Sequence, residues 1–337
     1  MASRRPPVTD NRRPRVAYLV MSHKNPAQVE SLVTRILELS PAGEVVVHHD
    51  THESADATPL WNGSPPARVR LVDPVAVSWG DWSVVEATLR LLRVAVDEID
   101  SDWFVLLSGE DRPVRDLAAW EDELVASGTD GLVPMRPLTV RPAFGRRPSA
   151  DDLNFVRYAF RWRAVPARYV RGGRYVLEAA RRISRYVQPV FKIEYAERRG
   201  TWMVGRWRRR RLPDGWTLYC GSQWMALGRR AVTTLLASDA AVTEWFRQTW
   251  IPDQGFFHTV LGNAAGFSFS TQPLTYVVPH DTHKGAAWMV LRSDDVGTIA
   301  LSGAAFARKF DPAVDREVID LVDAAVDASV AGTARGG

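Results

Sequence analysis

Trp103-Phe104-Val105-Leu106-Leu107-Ser108-Gly109-Glu110-Asp111-Arg112-Pro113-Val114 is the stretch on which the reading of this chain turns. Five apolar residues in a row have the length of a strand buried on both faces. The run stops at Ser108-Gly109, where the chain must turn, and two carboxylates, Glu110 and Asp111, follow before Arg112 and Pro113 end any continuation. In open α/β sheets ligands bind just beyond the carboxyl ends of the strands. A strand that delivers two acids to that edge reads as a candidate active site. Gly and Asp are also ordinary turn residues, so an acidic β-turn accounts equally well for the stretch alone.

The segments on either side favour an α/β domain. Arg15–Met21 reads as a first buried strand, with Ser22-His23-Lys24-Asn25-Pro26 as its exit loop. Ala27–Leu39 carries Val29, Leu32, Val33, Ile36 and Leu37 at helical spacing, and Pro41 and Gly43 end it. Glu44–His49 is a second strand, so the chain opens with a strand–helix–strand unit of nucleotide-binding type. Val69–Val72 and Val75–Val77 read as short strands, and Val84–Ile99 as a helix capped by Ser83. After the central strand come a helix over Ala118–Ser127 and a strand over Gly131–Pro134. From Arg136 to Arg211 arginine and aromatic residues interleave, with an amphipathic basic helix at Tyr175–Val187. Strands return at Leu218–Cys220 and Ser222–Leu227, followed by helices over Arg229–Ala237 and Asp253–Gly262. Ser268–Val278 supplies strand material, and Asp311–Ala325 is a closing helix.

The expected organisation is a single Rossmann-like α/β domain, a mostly parallel sheet flanked by helices, carrying a basic and largely helical insertion. Its parts are a disordered tail (1–14), an N-terminal α/β half (15–135), the insertion (136–215), a C-terminal half (216–325) and a second disordered tail (326–337).

Composition narrows the possible functions. At 46% hydrophobic and 24% charged residues, the 337-residue chain can bury a core and is not expected to be disordered. The formal net charge is +4, and most of its positive side chains are arginines, the residue suited to forked binding of phosphate and carboxylate. One cysteine, Cys220, excludes an internal disulfide framework and fits a reducing compartment. The basic N-terminus lacks the apolar core of a signal peptide, and no run is long enough to span a bilayer. The expectation is a soluble cytoplasmic protein. Thirteen tryptophans suit core packing or the stacking of sugars and bases.

Chemistry-bearing groups cluster at element ends. Neither G-x-G-x-x-G nor G-x-x-x-x-G-K is present, which argues against a dinucleotide or P-loop enzyme. In His48-His49-Asp50-Thr51-His52, strand alternation puts His48 and Asp50 on one face and His49 on the other. The cluster therefore reads as a polar strand end, or as a nucleotide contact through Asp50, rather than as a metal site. Asp100-Ser101-Asp102 has the form of an Asp-x-Asp metal motif but precedes the central strand, at the wrong edge of the sheet. Tyr219-Cys220-Gly221-Ser222-Gln223-Trp224, Ile251–Phe257 and Phe306-Ala307-Arg308-Lys309-Phe310-Asp311 each place polar groups at an element boundary. In the last of these, Arg308 and Lys309 form either a solvated basic turn or the countercharge for a diphosphate.

Taken in order, Ala17–Pro26, Val47–Asp50, Val77–Gly80, Leu106–Pro113, Tyr219–Trp224, Pro252–Phe257 and Phe306–Asp311 resemble the core-2/I-branching β-1,6-N-acetylglucosaminyltransferases and the related peptide O-xylosyltransferases. The basic middle region is unmatched. The resemblance implies an inverting glycosyltransferase that uses a nucleotide-diphospho-sugar, usually a UDP-sugar, as co-substrate and a hydroxyl-bearing glycan or small molecule as acceptor. It implies no metal and no other cofactor. Lys309 falls on the family's phosphate-binding lysine, with Lys284 as the nearest second basic partner. Donor-binding candidates are His23, Asp50, Trp79, Lys284, Arg308 and Lys309. Sugar- or acceptor-binding candidates are Ser222, Gln223, Trp224, Gln254 and Tyr276. The family reads Pro-Asp-Glu, with the glutamate as base, where this chain reads Pro252-Asp253-Gln254, and Glu110 replaces a neutral residue. Catalytic candidates are thus Glu110, Asp253 and Asp111. In this reading Glu110 takes over as base, its pKa raised by burial, Asp111 holds the Ser108-Gly109 turn or a donor hydroxyl, and Asp253 caps the helix it begins. No nucleic-acid partner is expected. The alternative is an inactivated domain whose arginines bind an anionic polymer, and contact with a membrane face is a third use of the same arginines.

Overall fold

The computed structural model describes residues 15–52, 59–138, 157–184, 191–196, 200–208, 212–278 and 290–336. β1 (Val16–Ser22), α1 (Pro26–Leu39), β2 (Glu44–His49), β3 (Val69–Leu71), α2 (Trp82–Glu98) and β4 (Trp103–Ser108) build the N-terminal half. β4, β1, β2 and β3 lie side by side and parallel. This order has its switch point between β1 and β4, because the chain leaves β1 in one direction and returns on the other side for β4. The continuous apolar runs of β1, β2 and β4 are buried on both faces. Ala17, Leu19, Phe104 and Leu106 enter one core, and Tyr18, Val20, Val105 and Leu107 the other. α1 presents Val29, Leu32, Val33 and Ile36 to the second core, as its 3.6-residue period requires.

Beyond β4 come β5 (Arg112–Pro113), α3 (Leu117–Ala126), β6 (Gly131–Leu132) and β7 (Met135–Pro137). In the middle region β8 (Phe160–Ala164), α4 (Ala167–Ser184), β9 (Phe191–Ala196) and β10 (Thr201–Trp207) form a three-stranded antiparallel sheet with one helix against it. Besides its helix, the described part of the insertion thus holds a sheet that was not expected. Phe160-Arg161-Trp162-Arg163 alternates buried and exposed residues, the period of a strand. Arg208, one of the interleaved arginines, is buried. Its guanidinium donates to the carbonyls of Trp245 (2.7 Å) and Phe160 (3.3 Å) and lies 4.0 Å over the Trp245 ring. Burial lowers its pKa to about 10. Arg209–Arg211 lie outside the described residues.

β11 (Tyr219–Gly221) pairs with β7, and β12 (Ala226–Gly228) slots antiparallel between β4 and β6. α5 (Arg229–Leu236), α6 (Ala240–Phe246), a 3₁₀ turn at Pro252–Gln254 and α7 (Phe256–Asn263) follow. β13 (Phe269–Ser270) completes the seven-stranded sheet beside β6. β14 (Thr275–Val277), α8 (Val296–Leu301), β15 (Phe306–Arg308) and α9 (Glu317–Gly336) close the chain. β15 pairs with both β14 and β5, which brings Arg308 and Lys309 back to the exit of β4.

Other expectations change in detail. Val75–Val77 is not a strand, because its N–H groups go to side chains: Val75 donates to His48 Nε2 (2.8 Å) and Val77 to Asp50 Oδ2 (2.7 Å). α2 is capped by Asp81, and the Ser83 hydroxyl instead accepts from the Ser78 N–H at 2.9 Å. Of the expected Ser222–Leu227 strand only Ala226 and Leu227 are strand, which continues to Gly228, and Gly255 separates the Pro252 turn from α7. The expected tail at 326–337 is helix as far as Gly336: Val318, Val322 and Val326 are buried at four-residue spacing, and Asp327 pairs with Arg35 at 2.7 Å.

Candidate active site

Three strand exits converge at the switch point. The Gly109 N–H donates to Met21 O and the Asp50 N–H to Ser22 O, both at 2.8 Å, so the loops after β1, β2 and β4 are tied by backbone. A Cβ on Gly109 would lie 2.7 Å from Ser22 Cβ and 3.0 Å from Val29 Cγ2, so glycine lets the two loops meet. Asp111 accepts from the Ser108 N–H at 2.9 Å and holds the turn, as the sequence suggests.

Onto this edge the chain delivers three cations. Lys24 Nζ lies 2.9 Å from Glu110 Oε1, and Lys309 Nζ lies 2.7 Å from Glu110 Oε2. Arg308 Nε lies 3.1 Å from Asp111 Oδ1, an ion pair without hydrogen-bond alignment, and the guanidinium sits 4.2 Å over the Trp224 ring. The Phe310 N–H donates to Glu110 O at 3.0 Å and fixes the C-terminal segment to the turn.

This arrangement overturns one expectation. Burial alone would raise the Glu110 pKa, but hydrogen bonds and charge from Lys309 and Lys24 outweigh it and hold the carboxyl below its usual range. A carboxylate stabilised by two ammonium groups is a poor proton acceptor. Asp111 differs: burial raises it to about 6, partly offset by Arg308.

The nucleotide-side candidates surround the same edge. Asp50 is buried. Burial would raise its pKa, but N–H groups of Val77 (2.7 Å) and His52 (2.9 Å) overcome that and keep it low. His48 and Asp50 both face the Val75–Val77 segment, and His49 Nδ1 turns to Ser22 Oγ at 2.7 Å. His23 is exposed at the rim, and partial desolvation, opposed by Glu110, lowers its pKa. Trp79 is 38% exposed beside Gly80, whose φ of +75° suits glycine.

A second set of groups lies across Gly80, whose carbonyl accepts from the Ile251 N–H at 3.0 Å. Ile251 is β-branched yet has φ +56°, a conformation that costs on the order of 1–3 kcal/mol and is held here by burial on both sides of the turn. The turn buries Asp253, whose Oδ1 has no hydrogen-bond partner among the described residues. The expectation that Asp253 caps the following helix is corrected: α7 has no side-chain cap. Burial raises the Asp253 pKa to about 6, with its own backbone and Arg157 opposing. Next to it, Arg157 donates to Gln254 Oε1 at 2.8 Å, which joins the inserted region to this turn.

Ser222, Gln223 and Trp224 bridge the two sets. Gln223 is buried and donates to Met21 Sδ (3.3 Å) and Thr88 Oγ1 (3.4 Å). His258, fully buried with its pKa lowered by burial to about 4, is neutral and donates from Nε2 to Ser222 O at 3.0 Å. A Cβ on Gly221 would fall 2.0 Å from Pro134 O and 2.6 Å from the His258 ring. Gly221→Ala is therefore expected to cost at least about 2 kcal/mol, read as a lowered midpoint in thermal or urea unfolding.

Tyr276 packs against the satellite core of Leu291, Ile299 and Phe310. Lys284 lies outside the described residues. Asp100 and Asp102 are engaged at the opposite edge, Asp100 with Arg15 and Arg229 and Asp102 with the Arg15 N–H. Among the described residues no group of three or more His, Cys, Asp or Glu side chains converges as a metal site would need. Sequence reasoning names Lys24 only as part of the Ser22-His23-Lys24 loop and misses two further residues at the site. Lys24 was visible as the second residue after β1, but nothing local indicated that Arg157 would reach Gln254 or that His258 would hold Ser222.

A Rossmann-like sheet that gathers cations and acids at its switch point defines an α/β protein with a candidate ligand site where such folds bind their ligands. Comparison with known families narrows this further. The family model described as Core-2/I-Branching enzyme matches residues 16–130 and 176–298, and the chain belongs to that family of glycosyltransferases. The match resumes at 176, inside the region expected to be unmatched. Xylosyltransferase 1 of Homo sapiens is 27% identical over 196 residues, 56% of this chain and 16% of that protein. The same protein of Rattus norvegicus is 26% identical over 196 residues, 56% and 18%. A xylosyltransferase of Ciona intestinalis is 26% identical over 140 residues, 36% and 16%. The matched part is thus less than a fifth of each relative's length. No described helix is long and apolar enough to cross a membrane.

Proposed function

We propose that the chain transfers a sugar, GlcNAc, xylose or similar, from a UDP-sugar to a hydroxyl acceptor with inversion at the anomeric carbon. The observation that carries this reading is the meeting of Lys24, Arg308 and Lys309 at the switch point of a Core-2/I-branching fold. Three cations beside a strand end supply the countercharge that a departing diphosphate needs. The acceptor hydroxyl attacks from the opposite face of the sugar, its proton passes to a carboxylate, and the C–O bond to the diphosphate breaks as the new one forms.

Asp253 takes the role of base. It is buried, has no hydrogen-bond donor on Oδ1 among the described residues and has a pKa near the working range, which suits proton uptake better than the doubly paired Glu110. Gln254, held by Arg157, orients the acceptor as a neutral partner, and the inserted region covers the acceptor side. Trp224, stacked on Arg308, forms the wall between diphosphate and acceptor.

The reaction needs no metal in this reading, since side-chain cations occupy the place of its charge. UDP should raise the melting temperature equally with and without EDTA, in a panel of nucleotides and nucleotide sugars followed by thermal shift and product detection. A UDP effect abolished by EDTA and restored by Mn²⁺ would show the metal-free reading to be wrong.

A further inference from the structure

We propose that Glu110 is an internal competitor for the donor diphosphate, a carboxylate that occupies the lysine pair in the free protein and returns to it to expel the nucleotide product. The inference rests on the donor site proposed above and adds a specific role for a side chain within it. Each Glu110 oxygen takes a different ammonium group, Lys24 at 2.9 Å and Lys309 at 2.7 Å, so one carboxylate spans the two cations as two phosphoryl oxygens would. The glutamate side chain is 13% exposed and the lysines 50% and 25%. The cations therefore lie on the open side of the pair, where an incoming anion reaches them first.

The backbone is built to stay in place while the side chain leaves. The Glu110 carbonyl accepts from the Phe310 N–H at 3.0 Å, and its N–H lies 3.3 Å from Ser108 Oγ. Neither bond involves the carboxylate. Arg308 is not drawn into the exchange, because Asp111 and the Trp224 ring hold it. A bound diphosphate thus exchanges one carboxylate for a more highly charged partner on Lys24 and Lys309. After transfer, the displaced Glu110 lies beside the nucleotide diphosphate as a like charge and favours its departure.

The test is UDP affinity by isothermal titration for the unmodified chain, Glu110→Gln and Glu110→Asp, with circular dichroism as the folding control. Glu110→Gln keeps the shape and removes the charge, and is expected to bind UDP about tenfold more tightly. That advantage should shrink at high salt, where screening weakens the competing pair. Glu110→Asp, too short to span both lysines, should fall between the two. In turnover, Glu110→Gln is expected to lower KM and to lower kcat as product release slows, a split that a folding defect does not produce. Equal or weaker UDP binding by a folded Glu110→Gln overturns the competitor role while leaving the donor site standing. Absence of UDP binding by all three proteins overturns the donor site and this proposal with it.

Discussion

Asp253→Asn is expected to reduce turnover by about 10²- to 10⁴-fold, the usual span for loss of a general base, while UDP binding stays within about twofold. The same variant should be more stable than the unmodified chain at neutral pH. Burial raises the folded-state pKa of Asp253 to about 6, against about 3.9 for an unfolded aspartate. Between pH 4 and 6 the folded protein holds a proton that the unfolded chain has already lost. Stability from this group therefore falls as pH rises through that window, and the cost is fully present above it. Asparagine removes the charge and recovers on the order of 2 kcal/mol. The melting temperature at pH 7.5 should rise by a few degrees, with the difference closing near pH 4. In the unmodified protein kcat/KM should fall below an apparent pKa of about 6, as the base takes up its proton. An Asp253→Asn protein with full turnover, or one that melts lower at pH 7.5, would move the base elsewhere.

Lys309→Ala is expected to weaken UDP binding by about 10- to 100-fold, the loss of one charge-assisted hydrogen bond to phosphate. The lysine is partly exposed, and its ion pair with Glu110 stands at the cleft mouth, so folding stability should change little. The variant also leaves Glu110 free to concentrate on Lys24, which deepens the loss. Titration at two salt concentrations checks it, because the loss should be smaller at high salt. An unchanged Kd in a folded Lys309→Ala protein would mean that the C-terminal segment does not hold the donor.

How far the site can be read from the sequence depends on how local its causes are. β1, β2 and β4 are legible because a strand buried on both faces must be apolar throughout, and α1 because its stripe repeats every 3.6 residues. The place of Glu110 and Asp111 follows from that, since any residue after β4 reaches the same sheet edge. Their protonation behaviour does not follow. For Glu110 it is set by Lys309, which is 199 positions away in the sequence, together with Lys24, and for Asp111 by burial, opposed by Arg308. The difference between these carboxylates and the buried Asp253 thus comes from tertiary partners. The inserted sheet is legible in Phe160-Arg161-Trp162-Arg163, which alternates with period two, although the arginines on its exposed face give the same stretch the look of a charge run. α9 runs past its expected end at Ala325 because the four-residue valine spacing continues through Val326.

The annealing of β15 onto β5 sets an order on the protein's life as a binding molecule. Lys24 follows β1, the first described strand, and Lys309 follows β15, the last. The parallel sheet can form around β1, β2 and β4 well before translation reaches Phe306, yet the cationic cradle exists only once that strand has returned to the exit of β4. A chain cut before Phe306 would carry the scaffold without the cradle. Under the proposed function, donor binding therefore reports that the C-terminal strand has returned to the sheet.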